Sequence, residues 1–475
     1  MPDYDFFTPT ASLEQIHQSA LRILDEIGVD TDHVEMRARL VGLGCRIAGA
    51  RIYFPPELSA STLAAVPASF RLYGRTPEIT ALVDVGGSLL CTNTGILANV
   101  YDLDTGSVRR ATLADVAATT RILDALPNVD IVYVSLLDAT DQPAHLITLA
   151  DFAATLANTT KPLIGPGVVN GAEAEAVVAI ARALRGPELV RHPPCAPFIC
   201  PITPLRFPAA LVDALTVVAR AGLPLEVITN PVMGVTAPYT IAGAVALGHA
   251  EVLAAAVMAH AVQPGLPILN GNTPSVADMR TLASTTGGPE TGLIRRTVAE
   301  LSHHLGLPSC VHGHTSSARV DFQAGDEKAL NTLLLASAKP SILGGLGGLA
   351  NVTVGSYEML VLDDERYGAV RRILAGVAVD DDHLGLEVIA RAAEGGDFLG
   401  HEHTLQHLHA AEVWRPRLAL RGGLVEGAPP AERSVDRARA AARKILDTHT
   451  VAPLPAAVQR ALTEIIGAYA IAHPA

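Results

Sequence analysis

Between residues 88 and 348 the chain alternates short, β-like apolar runs with longer stretches whose apolar residues recur at helical spacing. The short runs lie at 88–92, 130–136, 162–165, 197–200, 225–229, 267–269, 308–311 and 341–343. Stretches rich in Ala, Leu and Val follow them, among them 113–126, 172–184, 208–221, 240–261, 290–305 and 326–338. Parallel strands need a crossover helix between them, and eight such strands close a sheet without leaving edges. The pattern therefore predicts an α/β fold, a (β/α)8 TIM barrel. A doubly wound open sheet is the rival. The even count, a unit of about 260 residues and the lack of Gly-x-Gly-x-x-Gly after the first run favour the barrel.

Three segments follow from this reading. Residues 1–80 predict a mainly helical N-terminal extension, with an amphipathic run at 13–27 ended by Gly28 and a small β-like piece at 51–54. The barrel occupies 81–376. Residues 377–475 predict a second helical extension, with helices at 384–393, 432–448 and 454–472 and the Pro/Gly-rich stretch 421–430 as a linker.

Composition narrows the function classes. With 49% hydrophobic residues the chain has ample material for a large core. Thirty-five Lys and Arg against 48 Asp and Glu leave a net charge of −13 without a basic run, which argues against nucleic acid. The longest apolar stretch, 241–262, carries His249, Glu251 and His260, each costly in a bilayer, so no membrane span is expected. The first residues, Met1-Pro2-Asp3-Tyr4-Asp5, lack the basic and apolar character of a signal peptide, and a cytoplasmic location is expected. Five cysteines without a Cys-x-x-Cys pair predict reduced thiols. None of the four lysines follows a glycine, which excludes a Walker A loop.

Catalysis in such a barrel belongs at the C-terminal ends of the strands. The polar residues there are Asn93, Thr94, Thr203, Asn230, Asn270, Asn272, His312 and His314. Asparagine is depleted in strands and costly in an apolar interior unless bonded, so the set predicts a polar pocket. Starting a turn is the alternative role for each asparagine. In Cys310-Val311-His312-Gly313-His314, alternate residues point to one side. One thiolate and two imidazoles form a zinc set chemically, but the spacing is too compact for a standard structural site. No metal is therefore expected, and His312 and His314 are candidates for substrate binding or acid–base work. A second group, His401-Glu402-His403 with His407 and His409, lies outside the barrel; on a helix His403 and His407 share a face, but ordinary surface or interdomain histidines are expected here ahead of ligands. Gly344-Gly345-Leu346-Gly347-Gly348 sits where barrels often bind phosphate; close approach of a flat cofactor or a partner protein, or simply a loop with positive φ angles, are the alternatives.

Distinctive motifs run along nearly the whole chain: Leu72-Tyr73-Gly74-Arg75, Asn158-Thr159-Thr160-Lys161-Pro162, Thr236-Ala237-Pro238 with Ala242-Gly243, Pro274-Ser275-Val276-Ala277-Asp278-Met279-Arg280, Asp321-Phe322-Gln323-Ala324-Gly325-Asp326-Glu327-Lys328, and Phe398-Leu399-Gly400-His401-Glu402-His403-Thr404-Leu405. Together they resemble the trimethylamine methyltransferase family. The resemblance implies a (β/α)8 barrel that moves a methyl group from a methylated amine to the cobalt of a separate corrinoid protein. The family's best-known branch carries pyrrolysine, which is absent here; the loop 315–319 is the expected equivalent place. The chain is thus similar to the non-pyrrolysine branch, which demethylates quaternary amines such as glycine betaine. It departs from the family at Asn230-Pro231-Val232-Met233-Gly234-Val235 and in its His-Gly-His. It also lacks Asp-x-His-x-x-Gly, the nearest approach being Asp381-Asp382-His383-Leu384-Gly385-Leu386, so no cobalamin is expected on this chain itself.

A quaternary head neither donates nor accepts a conventional hydrogen bond, so aromatic faces are its expected partners. Of Tyr133, Phe207, Tyr239, Phe322 and Tyr357, the sequence favours Phe207, Tyr239 and Phe322 as cage residues, with Gln323 beside them, and assigns Tyr133 and Tyr357 to packing. The expected partners are a small N-methylated substrate, a corrinoid protein and further copies of the chain in a homo-oligomer. Two other readings are a barrel that passes the one-carbon unit directly to or from tetrahydrofolate, and a non-catalytic ligand-binding protein.

Overall fold

The computed structural model describes residues 6–410, 412–422 and 432–474. Residues 1–5, which carry the expectation about targeting, and 423–430 of the expected linker lie outside the described residues.

Eight strands, each followed by a helix, form the centre. They are β1 (Leu90–Asn93), β2 (Val132–Tyr133), β3 (Leu163–Gly167), β4 (Cys195–Ile199), β5 (Leu225–Thr229), β6 (Ile268–Asn272), β7 (Cys310–His312) and β8 (Ile342–Leu346). The helices that follow them are α1 (Leu113–Ala125), α2 (Ile147–Asn158), α3 (Gly171–Arg185), α4 (Ala209–Arg220), α5 (Ile241–Val262), α6 (Pro289–His304), α7 (Phe322–Ser337) and α8 (Tyr357–Leu374). Side-chain caps start several of them: Thr112 with Asp115 makes a capping box on α1, Asp321 caps α7 and Ser356 caps α8.

The strands pair in parallel in two runs, β2-β3-β4-β5-β6 and β7-β8-β1. At one junction Asn270 N donates to Pro308 O at 2.8 Å, and at the other Asp130 N donates to Cys91 O at 2.9 Å. Alternation sorts the side chains. Leu225, Val227 and Thr229 of β5 face the helices, whereas Tyr133, Ile164, Ala196, Leu269, Cys310 and Ile342 join one interior cluster, with Leu90, Phe198 and Ile228 packed against it. All eight strands thus contribute to that cluster.

The hairpin Ser69–Tyr73/Thr80–Asp84 adds Phe70, Leu72, Ala81 and Val83 to the interior cluster from outside the strand set. Ahead of it lie the helices Thr10–Arg22, Val34–Gly42 and Pro56–Ala65 and a three-stranded antiparallel sheet. Helix α5 is long and apolar enough to cross a membrane, but it is buried along most of its length against neighbouring helices. Its His249 Nε2 lies 3.0 Å from His17 Nδ1, and its Glu251 accepts from Thr203 Oγ1 and Leu205 N.

The glycine run after Ser341 is strand and tight packing. A Cβ on Gly344 would stand 2.3 Å from the His312 ring, one on Gly345 (φ +124°) 2.2 Å from Gly313 O, and one on Gly348 2.6 Å from Thr94. Close packing against the chain's own His312, Gly313 and Thr94 accounts for these glycines, which is neither the phosphate loop nor the approach of a cofactor or partner protein that the sequence suggests. Past α8 come the short helices α9 (Asp381–Leu384), α10 (Leu386–Ala393) and α11 (Glu402–His409). The longer α12 (Ser434–Thr448) packs on α8 and α1, and α13 (Ala456–Ala472) packs on α3.

Candidate active site

A cavity of about 410 Å³ opens at the C-terminal ends of the strands. Its wall combines Tyr133 of β2, Phe198 of β4, Glu226 and Ile228 of β5, Gly271 of β6 and His312 of β7 with the loop residues Gly95, Ile96, Cys200, Asn230, Val232, Thr273 and Val352. Arg295 reaches in from α6, and His314 and Thr94 close one side.

Glu226 is the charged residue of strand β5 and is fully buried. Tyr133 Oη donates to its Oε2 at 2.7 Å, while Oε1 has no hydrogen-bond partner. Burial pushes its carboxyl up to about 7, against a smaller opposing effect from the Tyr133 hydroxyl and the Cys310 thiol. Tyr133 lies 5.7 Å from Phe198 and 5.8 Å from His312, ring centre to ring centre, so the ring whose hydroxyl holds the carboxylate has two further rings beside it in the same cavity.

Arg295 is the complementary charge. Its Nη1 donates to His312 O at 2.7 Å and its Nε to Pro274 O at 3.2 Å. Among the described residues no carboxylate pairs with it, and burial lowers its pKa to about 10. A buried guanidinium without an anion is costly, so the site is built to receive one.

The two histidines are held neutral. Arg295 Nη1 donates to His314 Nδ1 at 2.9 Å, so the ring proton resides on Nε2 and is donated to Thr94 Oγ1 at 2.9 Å. Burial, reinforced by Arg295, drives the His314 pKa well down and that of His312 to about 3. His312 Nε2 lies 3.4 Å from Cys310 Sγ, and its Nδ1 has no partner. Both rings line the cavity as the sequence expected, but as fixed neutral groups; the acid–base role does not fit His314, whose two nitrogens are engaged.

Of the other sequence candidates, Asn230 lines the cavity, accepting from Thr273 Oγ1 at 2.7 Å. Asn93 bridges β1 to β2 through the Tyr133 N–H and carbonyl. Asn270 and Asn272 lie inside β6 and face the helices: Asn270 donates to Ser302 of α6, and Asn272 accepts from Thr229. These three are corrected from substrate contacts to interstrand and strand–helix ties, because their parity along the strand turns them outward. The aromatic assignments are corrected too. Phe207 is 0% exposed in the core at the start of α4, Phe322 is 86% exposed at the start of α7, and Tyr239 is 58% exposed outside the cavity wall. Gln323 donates to Glu327 on the surface of α7. Tyr357 is buried, as its assignment to packing expected, and its hydroxyl donates to Asp115, whereas Tyr133 belongs to the cavity. Sequence reading also missed Phe198, Glu226 and Arg295. A charged residue within the apolar strand run 225–229 was the available clue.

The family model for trimethylamine methyltransferase (MTTB) matches residues 1–469. The chain is 29% identical over 451 residues to a glycine betaine methyltransferase of Desulfitobacterium hafniense (strain Y51), covering 94% of this chain and 93% of the relative. It is 28% identical over 477 residues to the trimethylamine methyltransferase MttB of Methanosarcina barkeri, covering 98% and 95%. Among solved structures, the monomethylamine methyltransferase of Methanosarcina barkeri superposes with a TM-score of 0.56 at 14% identity, covering 95% of this chain and 90% of that one, a likeness of fold.

Proposed function

The chain belongs to the trimethylamine methyltransferase family, and from that premise we propose that it is a methyltransferase that demethylates a betaine-like zwitterion and passes the methyl group to a separate corrinoid protein. The observation that carries the substrate class is the pairing, in one cavity, of an uncompensated Arg295 with Glu226 and the rings of Tyr133, Phe198 and His312. The guanidinium would take the substrate carboxylate. The quaternary nitrogen would rest among the rings beside the Glu226 carboxylate, where aromatic faces contribute about 0.5 to 2 kcal/mol each. A cavity of this size suits a small ligand.

A quaternary nitrogen is already a good leaving group. The C–N bond breaks with its electron pair staying on nitrogen, so the departing amine needs no acid, and the acceptor supplies the pair for the new bond to the methyl carbon. The protein's part is to hold the methyl in line and keep water away. Neutral His312 and His314 fit this role better than proton transfer. We further read the two parallel runs as one (β/α)8 barrel: the interior cluster fed by all eight strands and the hydrogen bonds at both junctions support closure.

The test uses Arg295→Met with two substrates, glycine betaine and tetramethylammonium, which lacks the carboxylate. The variant should lose at least a hundredfold in kcat/KM for methyl transfer from glycine betaine to cob(I)alamin. Its loss with tetramethylammonium should stay within a few fold. Equal losses with both would assign Arg295 to folding of the site and remove the case for a zwitterion.

A further inference from the structure

Helices α9, α10 and α11 bury no residue at all, although together they span 381–409. So small a piece with no core has little of its own to hold it in place. What it has is a concentration of imidazoles. His407 lies on α11 one turn after His403, their ring centres 4.2 Å apart, and the His383 ring of α9 is 4.9 Å from that of His407. One donor atom from each of His383, His407 and Glu412 lies within 4.8 Å of the other two, and the trio Asp382, His403 and His407 satisfies the same condition.

We propose that this cluster is a binding site for one divalent transition-metal ion, zinc by preference, with His407 as its pivot, His383 and Glu412 as the other protein ligands, and Asp382 at the edge of the sphere. Three features favour it. His383 Nδ1 is bonded to Asp380 Oδ1 at 2.7 Å, which fixes the ring and leaves Nε2 for a metal, the usual carboxylate–histidine arrangement. His407 Nε2 is screened from solvent without a satisfactory hydrogen bond, 3.2 Å from Asp382 Oδ2. Zinc–ligand bonds of about 2.0–2.2 Å put tetrahedral ligands about 3.3–3.6 Å apart, a separation reached from here by modest side-chain rotation. His403 takes a supporting part, because its Nε2 is already bonded to Asp382 O at 2.8 Å. Two neutral imidazoles and two carboxylates balance a divalent charge. Such an ion would cross-link α9, α11 and the turn at Glu412, which Arg372 ties to α8. It would be structural and remote from the cavity, which holds none of these residues.

The experiment strips the full-length protein with a chelator, then titrates it with Zn²⁺ in competition with a chromophoric indicator and, separately, with Co²⁺. One equivalent should bind, Co²⁺ should give the intense visible bands of a tetrahedral site, and trypsin cleavage at Arg391 should slow on loading. His383→Asn and His407→Asn should each weaken binding at least tenfold, while His409→Ala leaves it unchanged. Absence of a bound equivalent, or retention of it in both variants with loss in Cys310→Ser, overturns the assignment; the second result would move the metal to the cavity.

Discussion

At the scale of single residues, Glu226 has the most informative chemistry. Burial penalises its charged form and pushes its carboxyl up to about 7. A cation docked beside it favours the carboxylate and lowers that value, so binding below about pH 7 expels a proton. On the proposed reading, affinity for glycine betaine should rise with pH up to about 7 and level off above it. The neighbouring groups do not interfere: His312 and His314 remain neutral, while burial holds the Tyr133 hydroxyl protonated, and Arg295 keeps its charge to about 10. The carbon isostere 3,3-dimethylbutanoate should lack this rise, and Glu226→Gln should abolish it. Calorimetry in buffers of different ionisation enthalpy counts the proton directly; a flat profile for both ligands would take the cation away from Glu226.

At the scale of elements, the order of strands and helices was legible in the sequence because apolar periodicity is a local property: each of the eight expected runs overlaps a strand. Which side a residue faces was harder to read. A shift of one position separates Gly271, in the cavity wall, from Asn270, which ties β6 to α6, and Asn272, which ties β6 to β5. The aromatic wall was misassigned for a related reason. Residues after a strand end, such as Phe207 and Phe322, were expected to turn inward, but the start of a helix can as readily place a ring in the core or in solvent. Arg295 could not be found from pattern at all, since a polar residue on a helix between two strands looks like surface until the neighbours are known. Helices also lock to one another through charge. Lys328 of α7 donates to Asp363 of α8 at 2.8 Å and to Gly345 O at 2.7 Å, fully buried. Lys328→Met should destabilise the protein by about 3 kcal/mol, since it removes one partner of a buried pair. The drop would appear as a lower denaturation midpoint, with the substrate KM unchanged because Lys328 does not line the cavity. An unaltered midpoint would mean that Arg366, the other cation on Asp363, suffices alone.

At the scale of the whole molecule, the two ends of the strand set are unlike, and this bears on how a bulky methyl acceptor could reach the substrate. The hairpin Ser69–Tyr73/Thr80–Asp84 fills the interior with Phe70, Leu72, Ala81 and Val83, whereas Ile96, Asn230 and Val352 border the cavity at the end where the strands finish. In-line displacement requires the acceptor to approach the methyl group from the side opposite nitrogen, within about 3–3.5 Å of attack. On the proposed reading, a cobalt carried on another protein can do so only through the open end. Ile96 is partly exposed there and Leu82 is partly exposed on the hairpin, so each tolerates a larger side chain without disturbing the core. Ile96→Trp should therefore raise the KM for a corrinoid-protein acceptor at least tenfold while changing the affinity for substrate much less, and Leu82→Trp should leave both unchanged. Free cob(I)alamin, smaller than its protein-bound form, should be affected less by Ile96→Trp. If Leu82→Trp instead impaired transfer to the corrinoid protein, the acceptor would have to dock across the hairpin, and the open end would serve substrate entry alone.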